Sequence, residues 1–146
     1  MVENQSDLDL QRLVRNINGL AAFNRWCGFE VSQVSRGRAT VELEWRDDLG
    51  QYSGYLHAGI LGALIDTACG FAAVTIVGRV LASHYSVNCL RPAVGKRFAA
   101  RARVVKPGKT QVFTACELYA LSDENETLVA TGETLLVVAN GGGDAK

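Results

Sequence analysis

Residues 54–70 read GYLHAGILGALIDTACG, a glycine-punctuated apolar run that carries one acidic side chain, Asp66. At about 100° per residue, the larger side chains of this run and of the residues that follow it fall on one side of a helix. That side comprises Ile60, Leu61, Leu64, Ile65, Ala68, Phe71, Ala72 and Thr75. The other side comprises Gly59, Gly62, Ala63, Asp66, Gly70 and Ala73. We predict a long central helix whose acid lies on a stripe of small residues, where another backbone or a ligand can come close.

The apolar run extends over residues 56–77, which is long enough to cross a bilayer. It contains three glycines and a central Asp66, and it lacks a basic flank. Charged residues inside a membrane span are rare and costly. We therefore predict a buried helix of a globular protein and no membrane association.

On both sides of this helix the hydrophobic period changes to two, which is typical of strands. A strand pair is predicted before it, with a turn at residues 35–37, and three or four antiparallel strands after it, with turns at 106–109 and 122–126. Helical spacing at residues 8–23 predicts a short amphipathic N-terminal helix. The expected fold is α+β, an antiparallel sheet wrapped around one long central helix.

The chain has 146 residues, which is a suitable length for one domain. We predict an N-terminal helix and lead-in at 1–22, the main domain at 23–139 and a disordered tail at 140–146. The net charge is zero and no basic run is present, which argues against nucleic-acid binding.

Four widely spaced cysteines and two histidines make a metal site unexpected. No signal peptide is recognisable, so we interpret the cysteines as reduced core residues of a cytoplasmic protein. The cysteines are Cys27, Cys69, Cys89 and Cys116. No cofactor is expected.

Asp66 lies seven residues beyond Gly59, about 10 Å along a helix axis. It cannot easily act on the same small group as the start of its own helix. An antiparallel copy of the helix in a two-fold dimer would bring Asp66 of one chain to the Gly59 end of the other. The sequence therefore predicts a dimer with shared sites.

The residue types favour hydrolysis of an activated acyl group. Amides of Gly59 and Ala58 at the helix start can hold an oxyanion. Asp66 can activate water as a general base or attack as a nucleophile, and both roles are open. The side-chain amide of Gln51 can donate a second hydrogen bond or position water. His57 is interpreted first as a residue that fixes the turn by hydrogen bonding, with direct chemistry as the second role.

Three motifs resemble those of a known family: LHAG at 56–59, LID at 64–66 and SVNCLRP at 86–92. In this order and spacing they are similar to the hotdog-fold acyl-CoA thioesterases of the phenylacetate-pathway type, over residues 23–138. The resemblance implies a hotdog fold, a homodimer or a dimer-of-dimers tetramer, and metal-free cleavage of acyl-CoA. It puts the family's helix acid on Asp66, its oxyanion-binding glycine on Gly59 and its upstream amide residue on Gln51. The usual His-Gly-Gly is here His57-Ala58-Gly59.

Other positions are less defined. Some family members have a serine or threonine across from the acid, and this position falls on Ala82 or Ser83. Arg91, Lys106 and Lys109 are candidates for the CoA phosphates, although each taken alone is more typically a solvated charge. The acyl group is expected to be small, aromatic or of medium length.

Two alternative functions are weighed. A hotdog dehydratase or hydratase acting on 3-hydroxyacyl thioesters would use His57 and Asp66 together, but its Gly-Asp-x-Asn-x-x-His and His-Phe-Pro-Gly patterns are missing from the sequence. A non-enzymatic acyl-CoA-binding module is possible on the same fold. It would gain nothing from a carboxylate beside an anionic ligand, so hydrolysis is preferred.

Overall fold

The computed structural model describes residues 5–139, and in this part of the chain it contains one six-stranded antiparallel sheet and three α-helices. The helices are α1 (Asp7–Leu20), α2 (Ala22–Cys27) and α3 (Ala58–Val77), with a 3₁₀ turn at Asp47–Leu49. The strands are β1 (Glu30–Ser35), β2 (Arg38–Glu44), β3 (Val80–Cys89), β4 (Arg97–Lys106), β5 (Gln111–Ser122) and β6 (Asn125–Val138). Their order in the sheet is β1-β2-β4-β5-β6-β3. The predicted α+β architecture, with a strand pair before the helix and four strands after it, is confirmed.

The sheet curls around α3, and the main core lies between them. The side of α3 with the larger residues is buried, as predicted, and Leu64, Ile65 and Ala68 are 0% exposed. These residues pack against inward-facing side chains of the sheet such as Val41 and Leu118. By length and composition α3 alone among the described segments qualifies as a membrane span, yet most of it is buried inside the protein. The interpretation of residues 56–77 as a buried helix is therefore confirmed.

The C-terminal end of α3 is tied to the turn between β1 and β2. The hydroxyl of Thr75 is 0% exposed, donates to the carbonyl of Ala72 at 2.7 Å and accepts from the amide of Gly37 at 2.7 Å. Each of these buried polar groups thus has a partner, as burial requires. The contact fixes where the helix ends relative to the strand pair.

The N-terminal segment differs from the single helix expected over residues 8–23. Ser6 caps α1 and forms a capping box with Asp9, but α1 ends at Leu20 because Ala21 is extended (φ −86°, ψ 115°). The side chain of Asn18 donates to the carbonyl of Phe29 at 2.8 Å, which links the end of α1 to the start of the sheet. A separate short helix, α2, follows. The division at residues 22 and 23 stays a prediction, and the tail at 140–146 lies outside the described residues.

The two edges of the sheet differ. At the β1 edge, α1 covers the strand: Gln11 donates to the carbonyl of Ser32 at 3.2 Å and Arg15 to that of Val31 at 3.2 Å. At the other edge, β3 pairs only with β6 among the described strands, and most of its ten residues are exposed. An open edge of this length is a ready site for pairing with another chain.

Candidate active site

The start of α3 is organised by His57, which is the N-cap residue. Its Nδ1 accepts a hydrogen bond from the amide of Gly59 at 2.8 Å, and its carbonyl accepts from the amides of Ile60 and Leu61. A neutral imidazole that accepts at Nδ1 carries its proton on Nε2. The structure thus gives His57 the turn-fixing role and leaves an Nε2–H as an outward donor. The amide of Ala58 has no hydrogen-bond acceptor within residues 5–139.

Gly59 is held close to this ring. A Cβ added at Gly59 would lie 3.0 Å from Nδ1 and 3.2 Å from Cε1 of His57. A larger residue at this position would require the imidazole to shift by a few tenths of an ångström. The predicted oxyanion-binding amide of Gly59 is therefore occupied by His57 in this conformation, and its role in catalysis stays a prediction.

Gln51 is positioned by a tight loop between the 3₁₀ turn and α3. Its amide donates to the carbonyl of Tyr55 at 2.8 Å, and a short bridge joins Gly50 to Leu56. The side-chain Oε1 of Gln51 accepts from the amide of Ser53. With Oε1 engaged in the loop, the Nε2 group remains as the donor that Gln51 can offer to a ligand.

An open cleft of about 470 Å³ lies beside the helix start. Its lining consists of Gln51, Tyr52, Tyr55, Leu56, His57, Ala58, Leu61, Cys89, Leu90, Arg91, Pro92 and Ala93. Apolar and aromatic side chains with a few polar groups are typical of ligand sites. The cleft brings together four of the predicted site residues, Gln51, His57, Ala58 and Arg91. Arg91 also donates to the carbonyl of Leu128 at 2.6 Å, which holds its side chain.

Asp66 lies outside this cleft, about two helical turns farther along α3. Its carboxyl is half-buried, and burial raises the pKa of Asp66 above the ordinary aspartate value. Its Oδ1 is buried and accepts no hydrogen bond from residues 5–139. A buried polar atom without a partner is uncommon and calls for an explanation.

The stripe around Asp66 is covered at one point and open at another. A Cβ added at Gly62 would lie 3.3 Å from Cε2 of Tyr85, so the Tyr85 ring rests on the helix there. A Cβ added at Gly70 would meet nothing within 4 Å. The stripe therefore has unoccupied space next to Asp66, on the Gly70 side.

The remaining predicted site residues are not brought to the cleft by a single chain. Ser83 is the extra residue of a bulge in β3, and its hydroxyl donates to the carbonyl of Leu135 at 3.1 Å. Lys106 ends β4, and Lys109 lies in the turn to β5. The cleft adjoins the opposite end of the sheet. Because the ten residues of β4 span about 30 Å, the two lysines lie far from the cleft of their own chain.

Two site features were missed from the sequence. Cys89 was expected in the core, and this was wrong: it is exposed and lines the cleft, whereas Cys27, Cys69 and Cys116 are buried. The reason is that Cys89 ends an edge strand at the mouth of the cleft, and the alternating pattern does not reveal which strand is the edge.

Arg46 was also overlooked, and it holds the loop that leads to Gln51. Its guanidinium donates to the carbonyl of Trp26 at 2.9 Å, pairs with Asp48 and lies 5.2 Å from the centre of the Trp26 ring. The only sequence signal was its position just after β2.

A family model described as the thioesterase superfamily matches residues 53–127. The match spans the end of the loop before α3, the whole of α3, β3, β4 and β5, and the start of β6. The chain belongs to the thioesterase superfamily. The predicted resemblance to hotdog-fold thioesterases of the PaaI-like type is confirmed.

Relatives agree with this assignment. A solved structure of a thioesterase family protein from Silicibacter pomeroyi is 34% identical, with a TM-score of 0.87, and the match covers 90% of this chain and 99% of that chain. The PaaI protein of Escherichia coli, from the phenylacetic acid degradation operon, has the same fold at 20% identity (TM-score 0.85; 94% of this chain and 98% of that chain).

Two further relatives are each 28% identical to this chain over the matched part. A 1,4-dihydroxy-2-naphthoyl-CoA hydrolase from Listeria monocytogenes is 28% identical over 76% of this chain and 90% of its own length. A putative esterase from Saccharolobus solfataricus is 28% identical over 60% of this chain, and the match spans 64% of that relative's length.

Proposed function

We propose that the protein hydrolyses the thioester bond of a small, aromatic or medium-chain acyl-CoA and releases the free acid and CoA. The observation that carries the proposal is the half-buried carboxyl of Asp66 on a small-residue stripe, whose buried Oδ1 has no partner in the described part of the chain. A carboxyl whose pKa is raised by burial is a stronger base toward water than an exposed aspartate. Membership of a family of thioester hydrolases and the naphthoyl-CoA hydrolase relative support the same chemistry.

The complete site is proposed to form between two chains. Asp66 lies two turns from the helix start of its own chain, and the space beside Gly70 is open. If α3 packs antiparallel against its copy, Asp66 of one chain approaches the cleft of the other. The open β3 edge lies beside the same stripe, because Tyr85 of β3 contacts α3 at Gly62, and its availability to the same partner supports a self-complementary dimer.

At the helix start, the proposed role of the protein is to hold the oxyanion. When the thioester carbonyl is attacked, negative charge develops on its oxygen. The Ala58 amide, the Nε2–H of His57 and the Nε2 group of Gln51 are donors on the same cleft. A rotation of His57 would add the Gly59 amide. Asp66 acts either as the base for the attacking water or as the nucleophile, and Ser83 is proposed to orient water in the first case.

The CoA moiety is proposed to extend from one chain to the other. Arg91 lies at the cleft, whereas Lys106 and Lys109 lie at the far end of the sheet. In an antiparallel dimer the far end of one chain lies near the helix start of the other. The two lysines of the partner are then the proposed phosphate contacts. The four free cysteines are consistent with a proposed cytoplasmic location.

The test is thiol release from a panel of short, medium, long-chain and aryl acyl-CoAs, with native protein and Asp66→Asn. We expect turnover with native protein on at least one class and its loss in the variant. Asp7→Asn serves as the matched control because Asp7 is an exposed acid of α1 that does not line the cleft, and we expect it to keep the native activity. The proposal would be overturned if the native protein hydrolysed none of the thioesters, or if Asp66→Asn kept the native rates.

A further inference from the structure

Tyr85 is packed against the small-residue stripe of α3, the side that carries Asp66. A Cβ added at Gly62 would lie 3.3 Å from Cε2 of Tyr85 and 3.7 Å from its hydroxyl oxygen. The same Cβ would lie 3.6 Å from Cγ2 of Val87, which is two residues farther along β3. Residues two apart in a strand point to the same face. Both side chains therefore face α3, and the Tyr85 ring lies on the helix even though Tyr85 is 51% exposed.

The hydroxyl of Tyr85 and the carboxyl of Asp66 are neighbours on this stripe. Gly62 and Asp66 are four residues apart in α3, so their Cβ positions are about 5–6 Å apart. The Cα–Cβ bonds of a helix tilt toward its N-terminus, which moves the Asp66 carboxyl toward Gly62 and the ring that covers it. Within residues 5–139, Oδ1 of Asp66 has no partner and the Tyr85 hydroxyl forms no hydrogen bond. One small polar molecule can bond to both, because two hydrogen bonds of about 2.8 Å each bridge oxygens about 5 Å apart.

The hydroxyl of Ser83 and those of the other three tyrosines are engaged or located elsewhere. Ser83 donates to a backbone carbonyl at 3.1 Å. Tyr52 and Tyr55 line the cleft at the helix start, about two turns of α3 from the acid. Tyr119 donates to a neighbouring carboxylate at 2.9 Å. Among the four tyrosines, all of which the structure describes, Tyr85 is therefore the one whose hydroxyl lies beside the acid.

We propose that the hydroxyl of Tyr85 holds the attacking water beside the carboxylate of Asp66. The inference rests on the proposed thioester hydrolysis and takes Asp66 as the general base. The water donates one hydrogen to Asp66 and the other to the phenol oxygen of Tyr85, which can accept as well as donate. With both hydrogens engaged, a lone pair of the water oxygen is directed at the thioester carbon, which is held at the start of α3 of the second chain.

The atoms of the step balance around this arrangement. The water oxygen forms a bond to the thioester carbon as one water proton passes to Asp66. The C–S bond then breaks, its electron pair stays on sulfur, and the proton held by Asp66 is transferred to the CoA thiolate. The second water hydrogen stays with the free acid, and Tyr85 is unchanged at the end.

The test is Tyr85→Phe, which keeps the ring and removes the hydroxyl. We expect kcat on the best thioester of the panel to fall about tenfold, as for one lost hydrogen bond, with KM within about twofold of the native value. The melting temperature should stay native, because the hydroxyl has no partner within residues 5–139. Tyr119→Phe is the matched control. It also removes a phenol hydroxyl, but Tyr119 lies between the buried Leu118 and Ala120 and points away from α3, so we expect the native kcat.

A double variant separates a role at the water from a role in packing. If Tyr85 acts through the water that Asp66 activates, adding Tyr85→Phe should lower the residual rate of Asp66→Asn by no more than about twofold, because residues that act as a unit do not have additive effects. A further tenfold loss in the double variant, or Tyr85→Phe with the native kcat, would overturn this inference alone. Native protein that hydrolyses no thioester would overturn the proposed function together with it, so the two failures are distinguishable.

Discussion

The two sides of α3 are built from the same helix but are completed differently. On the large-residue side, Leu64 and Ile65 are 0% exposed and pack against the sheet of their own chain. On the small-residue side, Oδ1 of Asp66 is buried and has no partner among residues 5–139, and the space at Gly70 is open. The first side is complete within one chain. The second has an unsatisfied polar group and unfilled space, which is the arrangement expected where another molecule completes the structure.

This difference separates stability from function along one helix. Packing on the large-residue side contributes to the free energy of unfolding, because each buried side chain removes apolar area from water. The carboxyl on the small-residue side costs stability, because burial disfavours its charged form. Substitutions on the two sides should therefore change different measured quantities.

The largest expected effect is that of Asp66→Asn on catalysis. Loss of a general base typically lowers kcat by about 10²- to 10⁴-fold. Burial raises the folded-state pKa of Asp66 above its unfolded-state pKa, so ionisation of Asp66 destabilises the fold as pH rises from the unfolded-state to the folded-state pKa. The neutral variant should therefore be at least as stable as the native protein at pH 7. Urea denaturation beside the thiol-release assay measures both. A clear loss of stability in the variant would show that Asp66 is structural.

Leu64→Ala should give the opposite result. Removal of a fully buried leucine typically lowers the free energy of unfolding by about 2–5 kcal/mol. The rate per folded molecule should stay near the native value, because Leu64 does not line the cleft. Denaturation and activity measured on the same preparation separate the two, with the exposed Leu8→Ala as the control. A large drop in kcat for folded Leu64→Ala would contradict the assignment of stability and function to different sides of α3.

Gly70→Leu tests whether another chain fills the open part of the stripe. Within one chain the added side chain starts in free space, so the fold should persist and the helix should gain propensity. In the dimer it would clash, at about 1–3 kcal/mol, which corresponds to roughly a 5- to 150-fold weaker association. Sedimentation and activity measured at several protein concentrations report the strength of association.

Gly19→Leu is the matched control for this substitution. A Cβ at Gly19 also meets nothing within 4 Å, but the residue lies in α1, away from the stripe. Equal association of the two variants would mean that the stripe does not meet a second chain.

The smallest expected effect is on the pH dependence of the rate. If Asp66 acts as a carboxylate, kcat/KM should fall toward low pH with a midpoint above the ordinary aspartate pKa of 3.8, because burial raises its pKa. The profile of native protein measures this midpoint. His57→Gln should keep the same acid limb, and the loss of that limb in His57→Gln would assign it to the histidine instead.

Much of the fold followed from local patterns. The contrast between the two sides of residues 59–75, the period-two strands and the glycine-containing turns predicted the helix, the strands and their antiparallel pairing. The break at Ala21 did not follow: Ala21 is extended, and next to it the side chain of Asn18 bonds to the backbone of Phe29. The helical spacing of apolar residues indicates which face of a helix is apolar and carries no information on such a contact.

For the candidate site, the sequence supplied the proposed residues and only part of their observed arrangement. A single acid in an apolar helix pointed to Asp66, and the loop before the helix pointed to Gln51 and His57. The engagement of the Gly59 amide by His57, and the exposure of Cys89, depend on a ring orientation and on strand order, which no local pattern contains.

By itself, the sequence determined which residues are apolar, which turn, and that one carboxyl lies on a stripe of small residues. Hydrophobic periodicity fixes these because burial acts on each residue's own side chain. Only the tertiary structure decided that β3 forms the open edge, and that Asp66 lies away from the cleft with an Oδ1 that has no partner among residues 5–139. These depend on pairing between residues far apart in the chain, and that information appears only when the strands assemble.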